Sequence, residues 1–405
     1  MTDDTPEHSD NAGSRRELLL AVYVPSFLTA AAQNAILIAL LLYALELDAG
    51  PAMAAAMLGL RGIGTLVSDV PAGMAVSRFG DKNVMLAGLV MLAVMAFGAS
   101  QTDSVWLLGG LAMLFGGGIG SWLLGRICYI ADHVGIERRG RTIAIMAGLQ
   151  RAGALAGPFA AGVAAKAYGW PVVFLVAGAL VLAAMVFIVV FATSVRPKLH
   201  EEPISHGIAM LLHILKEHAK VFRVAGSAVI TLQLMRAGRQ VLIPLWGASI
   251  GLDSADIGLI FSLSYGVDMM MFYPAGMILD HLGRKFAAVP CMLVLATSLA
   301  LMPGATDFQG LLLVALLAGL GNGFGTGIVM TLGSDLSPLE GRGEFLGVWR
   351  LVGDIGTASG PFFIGTIAEV LTLASACAIT AGVGLLGALV MIFKVRETRR
   401  HNAPS

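Results

Sequence analysis

Charge is what this chain has least of. Only 13% of its 405 residues are Asp, Glu, Lys or Arg, against roughly 25% in an ordinary soluble domain. Folded in water it would have too few charges to cover its surface, which argues against a soluble enzyme. The 26 basic and 26 acidic residues cancel, which argues against a basic nucleic-acid binder. Cysteine is scarce as well. Cys128, Cys291 and Cys377 lie far apart in apolar stretches, giving neither a disulfide framework nor a metal-ligand spacing. All eight histidines fall in the tails or in polar connecting segments, so no apolar run offers an imidazole to activate a nucleophile. No metal or organic cofactor is expected.

What is present is apolar length. Apolar residues make up 57% of the chain, and 51 glycines accompany them. The first run, Leu18 to Leu45, holds 28 residues without a charge. At about 1.5 Å per residue it exceeds a hydrocarbon core of roughly 30 Å, so it reads as a retained span rather than a cleaved signal. Charges and turns divide the rest into similar lengths. Spans are expected near 18–45, 52–77, 84–101, 105–131, 142–165 and 169–194. A second set is expected near 224–250, 256–279, 286–304, 309–334, 345–367 and 370–393. The fold class is therefore an all-α membrane protein of twelve transmembrane helices in two six-helix halves. The domains are a tail (1–16), a first half (17–195), a linker (196–222), a second half (223–394) and a tail (395–405). Within the linker, Ile208, Leu211, Leu212 and Leu215 recur at helical spacing over His206 to Phe222, as in a short helix on a membrane surface.

Placing the N-terminus in the cytoplasm puts 19 of the 26 Lys and Arg in cytoplasmic segments and leaves only Lys166 in an outer loop. By the positive-inside rule both termini are expected to be cytoplasmic, in a multi-pass protein of a plasma membrane, such as a bacterial inner membrane.

A constant shift of 203 residues relates the halves. Gly73, Gly80 and Lys82 map onto Gly276, Gly283 and Lys285. Asp132, Arg139 and Gly140 map onto Asp335, Arg342 and Gly343. Gly116, Gly118 and Gly120 map onto Gly319, Gly321 and Gly323, while Gly153, Gly157, Pro158 and Gly162 map onto Gly356, Gly360, Pro361 and Gly365. An unchanged offset over about 90 residues means duplication. A parallel repeat of this kind places a solute site between the halves and implies alternating access.

Here the chain resembles the major facilitator superfamily. That family's best-known signature joins the second and third spans: a glycine, an acid four residues on, then basic residues around a second glycine. The second half carries it as Gly276, Asp280, Gly283, Arg284 and Lys285; the first has Gly73, Ser77, Arg78, Gly80 and Lys82, with Ser77 in place of the acid. The resemblance implies that these residues gate the transporter. The fifth span, with Gly153, Gly157, Pro158 and Gly162, resembles the motif of drug:proton antiporters, in which small residues let helices touch and Pro adds a bend. An arginine usual in that branch is replaced by Ala112, so the fifth span carries the exporter likeness alone.

Nine charges interrupt the spans: Arg61, Arg126, Arg151, Arg236, Arg239, Arg350, Asp69, Asp268 and Asp354. Each costs about 2.5–3.5 kcal/mol at a helix centre, so all nine facing lipid would cost roughly 20–30 kcal/mol. They must face a cavity, pair, or reach an interface. Arg61, Thr65 and Asp69 form one stripe, and Thr65 maps onto Asp268. Gln33 maps onto Arg236, and Arg151 onto Asp354. Gln233, Arg236 and Gln240 form another stripe, with Arg239 close by. Two readings stay open. In one, Gln33, Arg151, Gln233, Arg236, Arg239 and Asp268 bind an anionic or zwitterionic organic solute; in the other, the arginines form fixed bridges to Asp268 or Asp354. Arg350 and Asp354 can satisfy each other at i and i+4. Arg126 is expected to snorkel to water or join the gate; Arg61 either snorkels or pairs with Asp69. Proton coupling falls to carboxylates, with Asp268 first, then Asp354 and Asp69. Met269 to Tyr273 either line a pocket or pack against neighbours.

The functional expectation is a secondary transporter of a small organic solute, driven by a proton gradient, more an exporter than an importer, and acting as a monomer in the bilayer. Alternatives are an efflux antiporter for lipophilic drugs, a lipid or lysolipid flippase, or a sensor or scaffold of the same fold.

Overall fold

The computed structural model describes residues 18–193 and 213–398. Among them there is no strand, and twelve long helices follow one another. We number them α1 (Leu19–Glu46), α2 (Pro51–Phe79), α3 (Asp81–Ala99), α4 (Val105–His133), α5 (Ile136–Tyr168), α6 (Trp170–Phe191), α7 (Ser227–Ser249), α8 (Ser254–His281), α9 (Arg284–Gly304), α10 (Phe308–Leu336), α11 (Arg342–Val370) and α12 (Leu373–Phe393). Ten of these are long and apolar enough to cross a membrane. The two outside that count are α5 and α7, whose apolar character is diluted by Arg138 to Arg141 and Arg151 in one, and by Gln233, Arg236, Arg239 and Gln240 in the other.

Most helix ends fall within three residues of the expected spans. The largest difference is α5, which starts at Ile136 on a Gly135 cap rather than near 142. Charged residues are good helix formers, so a helix outlasts its apolar stretch. Residues 206–212 of the expected linker helix lie outside the described residues. Beyond them, Ala219–Val221 and Phe222–Gly226 run directly into α7, and Phe222 packs on Phe345 and Trp349 of α11.

The chain forms two compact units. One takes in the chain up to Ala39 and the stretch from Ile63 to the linker; the other takes in Leu40–Gly62 and everything after the linker. Helices α1 and α2 are thus shared. Within the second unit the start of α2 runs antiparallel along α11. A methyl at Gly62 would meet Ala358 Cα at 2.7 Å, Gly59 lies against Phe362, and a methyl at Gly365 would meet Ala55 Cβ at 2.7 Å. At the end of this seam the Ala52 N–H donates to Glu369 Oε2 at 3.3 Å.

Each unit repeats the packing of the other at the 203-residue offset. In the first, Gly153 and Gly157 of α5 press on Ala30 and Ala31 of α1; in the second, Gly356 and Gly360 of α11 press on Ile230, Gln233 and Leu234 of α7. Gly118 lies against Leu92 as Gly321 lies against Leu295, and Gly120 against Ser68 as Gly323 against Met271. Lys82 donates to the carbonyls of Val189 and Ala192, and Lys285 to that of Ile392, the equivalent of Val189. Gly80 (φ 86°) and Gly283 (φ 117°) both make their turns in backbone that side chains rarely adopt. The duplication read from glycine spacing is therefore one of helix contacts, since only glycine lets two backbones come this close.

Candidate substrate-binding site

The polar stripe of α7 exists because its other faces are closed by Leu232, Met235, Val241, Leu242 and Ile243, all buried. On the stripe, Arg236 Nη1 donates to Gln233 Oε1 at 3.0 Å, and Gln233 Nε2 donates to Thr357 Oγ1 of α11 at 3.3 Å. Arg236 Nη2 donates to the Gly325 carbonyl at 2.7 Å. That carbonyl is available where α10 breaks over Gly325–Gly327, with Gly327 at φ 80°.

Arg239 turns to a different set of partners and is 3% exposed. Its Nη1 lies 4.0 Å from Asp268 Oδ2, and its guanidinium sits 4.8 Å from the Tyr265 ring centroid. Neither Nε nor Nη2 of Arg239 has a hydrogen-bond partner. Asp268 is buried too, and its Oδ2 accepts from Asn322 Nδ2 at 2.9 Å. Tyr265, one turn before Asp268, accepts at Oη from Gln240 at 3.4 Å and stands edge-on to Phe261. Arg61, at the α2 end shared with this unit, interacts electrostatically with Tyr265 and Asp354. Arg350 and Asp354 pair at 3.6 Å, as their spacing predicts.

The structure thus ties Gln233 to Arg236 and, separately, Arg239 to Asp268, while Asp354 pairs with Arg350. Gln33, Asp69 and Arg151 belong to the first unit. There Asp69 and Ser68 flank Gly120, and Thr65 Oγ1 donates to the Gly116 carbonyl at 3.1 Å. Arg126 corrects the expectation of snorkelling: it is 1% exposed, donates to Ser26 Oγ of α1 at 3.0 Å and lies 5.3 Å from the Trp122 ring centroid. Twenty-one residues into α4, it is held by neighbours before its stem can reach the helix end. Met270 and Tyr273 are each 74% exposed, so they line no closed pocket.

Three participants escaped the sequence reading. Asn322 sits in a glycine run read only for its place in the repeat, although an amide between Gly321 and Gly323 is a signal. Tyr265 and Thr357 carry no charge, and nothing in the sequence says which face of α8 or α11 meets α7.

Around the gating motif, the Arg284 guanidinium clasps Asp335 through Nε (2.5 Å) and Nη2 (3.2 Å), and Nη1 donates to the Leu279 carbonyl. Asp280 stands within electrostatic reach of Arg284. Glu397 accepts the N–H groups of Arg284 and Lys285 at 2.9 and 3.0 Å. In the first half, Ser77 Oγ donates to the Met74 carbonyl of its own helix at 2.9 Å, and Arg78 lies over the Phe79 ring.

Twelve long helices in duplicated sets, with arginines and aspartates buried among them, define a polytopic transporter fold. The Major Facilitator Superfamily profile matches residues 22–239 and 226–405, and the chain belongs to that family. It is 25% identical over 317 residues to the multi-drug resistance efflux pump PmrA homolog of Lactococcus lactis, covering 75% of each chain. It is 22% identical over 156 residues to an uncharacterized MFS-type transporter of Methanocaldococcus jannaschii, a match spanning 38% of this chain and 40% of the relative. Among solved structures, the nucleoside transporter NupG superposes with a TM-score of 0.79 at 15% identity, over 93% of this chain and all of that one. A D-xylose-proton symporter gives 0.72 at 16% identity, over 94% and 98%. A POT family transporter in complex with a thioalcohol-conjugated peptide gives 0.79 at 12%, over 93% and 95%. These likenesses establish the fold. The family and these neighbours are transporters, not enzymes.

Proposed function

We propose that this protein crosses a plasma membrane twelve times, with both termini cytoplasmic, and moves a small anionic or zwitterionic organic solute by alternating access. The observation that carries the reading is Arg239. A guanidinium buried to 3% exposure, with two nitrogens unpartnered and its carboxylate no nearer than 4.0 Å, is not a finished bridge. Leaving buried donors unmade costs about 1–3 kcal/mol, more for charged groups, and a bound anion would recover it. Gln233, Arg236 and Gln240 extend the same polar face; Gln33 and Arg151, in the first unit, are further candidates for binding solute.

Asp268 is the proposed proton carrier. Buried beside Arg239, its carboxylate can load and release a proton as the pair closes and opens with the transport cycle. Asp354, paired with Arg350, and Asp69 are secondary candidates. The gate is assigned to the turns at Gly73, Arg78 and Gly80 and at Gly276, Asp280, Gly283 and Arg284, and to the hinge at Gly153, Gly157 and Pro158. Similarity to an efflux pump favours export and antiport.

The test is binding to the purified full-length protein, read as thermal stabilisation by organic anions, cations and neutral amphiphiles. A ligand at a hundred times its Kd adds about 2.7 kcal/mol. Stabilisation by anions that disappears in Arg239→Ala supports the site. Stabilisation by lipophilic cations alone would overturn it and leave drug efflux without an anion site.

A further inference from the structure

Helix α10 is not one rod. Its first stretch, Phe308–Phe324, is fastened to α8: Ser264 Oγ donates to the Ala315 carbonyl, Asn322 donates to Asp268, and Gly319 lies against Ser264. The second stretch, Ile328–Leu336, starts afresh after Gly327, whose φ of 80° swivels the backbone. Between the two, the N–H groups of Gly325 and Thr326 close tight turns on the Asn322 and Gly323 carbonyls. Helix α8 breaks at the same level. There Pro274 has no N–H for the Met270 carbonyl, a new stretch begins at Phe272, and Gly323 lies against Met271.

The second stretch of α10 is tied to α11, α9 and α7. Trp349 Nε1 of α11 donates to the Val329 carbonyl at 2.8 Å, and Arg284 of α9 clasps Asp335 at the far end. At the break itself the tie is Arg236 of α7, whose Nη2 donates to the Gly325 carbonyl at 2.7 Å. The approach needs a glycine, since a methyl at Gly325 would meet Nη2 at 2.7 Å. Nη1 is taken by Gln233, and Nε is buried without a partner. A guanidinium grips a carboxylate in two parallel bonds through Nη2 and one neighbour, either Nε or Nη1. Such a solute therefore competes for the nitrogen that fastens the break.

From this shared donor we infer that Arg236 is a coupling residue. Its guanidinium fastens the break in α10, and a solute carboxylate that takes it unfastens the second stretch. A ligand shifts an equilibrium only through contacts that differ between the two states, and here that contact is the one to Gly325. The inference rests on the anion site proposed above. It adds a link from solute to gate, because Asp335 lies at the other end of the stretch that Arg236 fastens.

The experiment is hydrogen exchange on the purified full-length protein, read peptide by peptide. In Arg236→Met, which fills the space without a donor, the amides of 326–336 should exchange at least about tenfold faster than in wild type. Those of 311–318, fastened to α8, should keep their wild-type rates, whereas a general loss of stability would quicken both. Arg236→Gln, which ends where arginine has its Nε and stops short of Gly325, should behave the same way; either variant suffices if the other does not fold. Unchanged exchange over 326–336, or equal acceleration of 311–318, would overturn the coupling. Benzoate and acetate, added to wild type at concentrations that raise Tm, should speed exchange over 326–336 as well. A raised Tm with that exchange unchanged or slowed would leave an anion site and refute the coupling. No rise in Tm with either carboxylate would overturn the anion site, and with it the coupling to solute, while the variants still decide the tie.

Discussion

The two copies of the tight turn, Gly73–Lys82 and Gly276–Lys285, share a backbone and differ in their electrostatics. Both turn at a glycine of positive φ, and both send a lysine to the end of the sixth helix of their half. In the second copy, Arg284 meets Asp335 and stands near Asp280, so one cation joins two acids. In the first, the equivalent positions are Asp81, Asp132 and Ser77. Asp81 is 4% exposed and interacts electrostatically with Asp132, a charge of its own sign, with His133 Nδ1 at 3.6 Å to offset it. Duplication preserved the geometry while one substitution reversed the charge at its centre. A turn can thus keep its shape without its latch, because glycine dictates the shape and the ion pairs only hold it.

That contrast can be broken at several points. The largest effect is expected from Arg284→Ala, which removes a bidentate pair and a carbonyl contact in a half-buried position; about 1–2 kcal/mol should be lost and Tm should fall measurably. Next comes Glu397→Ala, which uncaps the first N–H groups of α9 at a cost of about 1 kcal/mol in the same melts. In the first copy the sign should invert. Asp81→Asn relieves the repulsion from Asp132 and is expected to raise Tm slightly at pH 8. The gain should shrink as pH falls, because native Asp81 takes up a proton and loses the charge that the substitution removes. The smallest effect belongs to Ser77→Asp. Restoring the missing acid alone sets a third negative charge beside Asp81 and Asp132, so stability should stay level or drop by about 0.5 kcal/mol or less. If Ser77→Asp stabilises the protein instead, the account of the reversed charge is wrong.

Ser77 also marks how far the sequence could be read. Its substitution for the usual acid is visible in the motif, but the matching change at Asp81 acquires meaning only once Asp132 and His133 are seen beside it. The same division runs through the site. The charge of Arg236, Arg239 and Asp268 made them conspicuous in apolar runs, and their 3.6-residue spacing placed them on helix faces. Asn322, Tyr265 and Thr357 are ordinary residues for a span, and their part in the network depends on which helices touch.

By itself the sequence determined the helices, most of their ends, and the twofold repeat. Those follow from local apolar length and from glycines that recur at one offset, which are properties of short stretches. Tertiary structure alone decided that Arg126 is buried against Ser26, that Arg236 reaches the broken backbone of α10, and that Arg239 stops 4.0 Å short of Asp268. Those facts depend on the rotation of one helix against another, which is set by the summed packing of many small contacts and is written in no single residue.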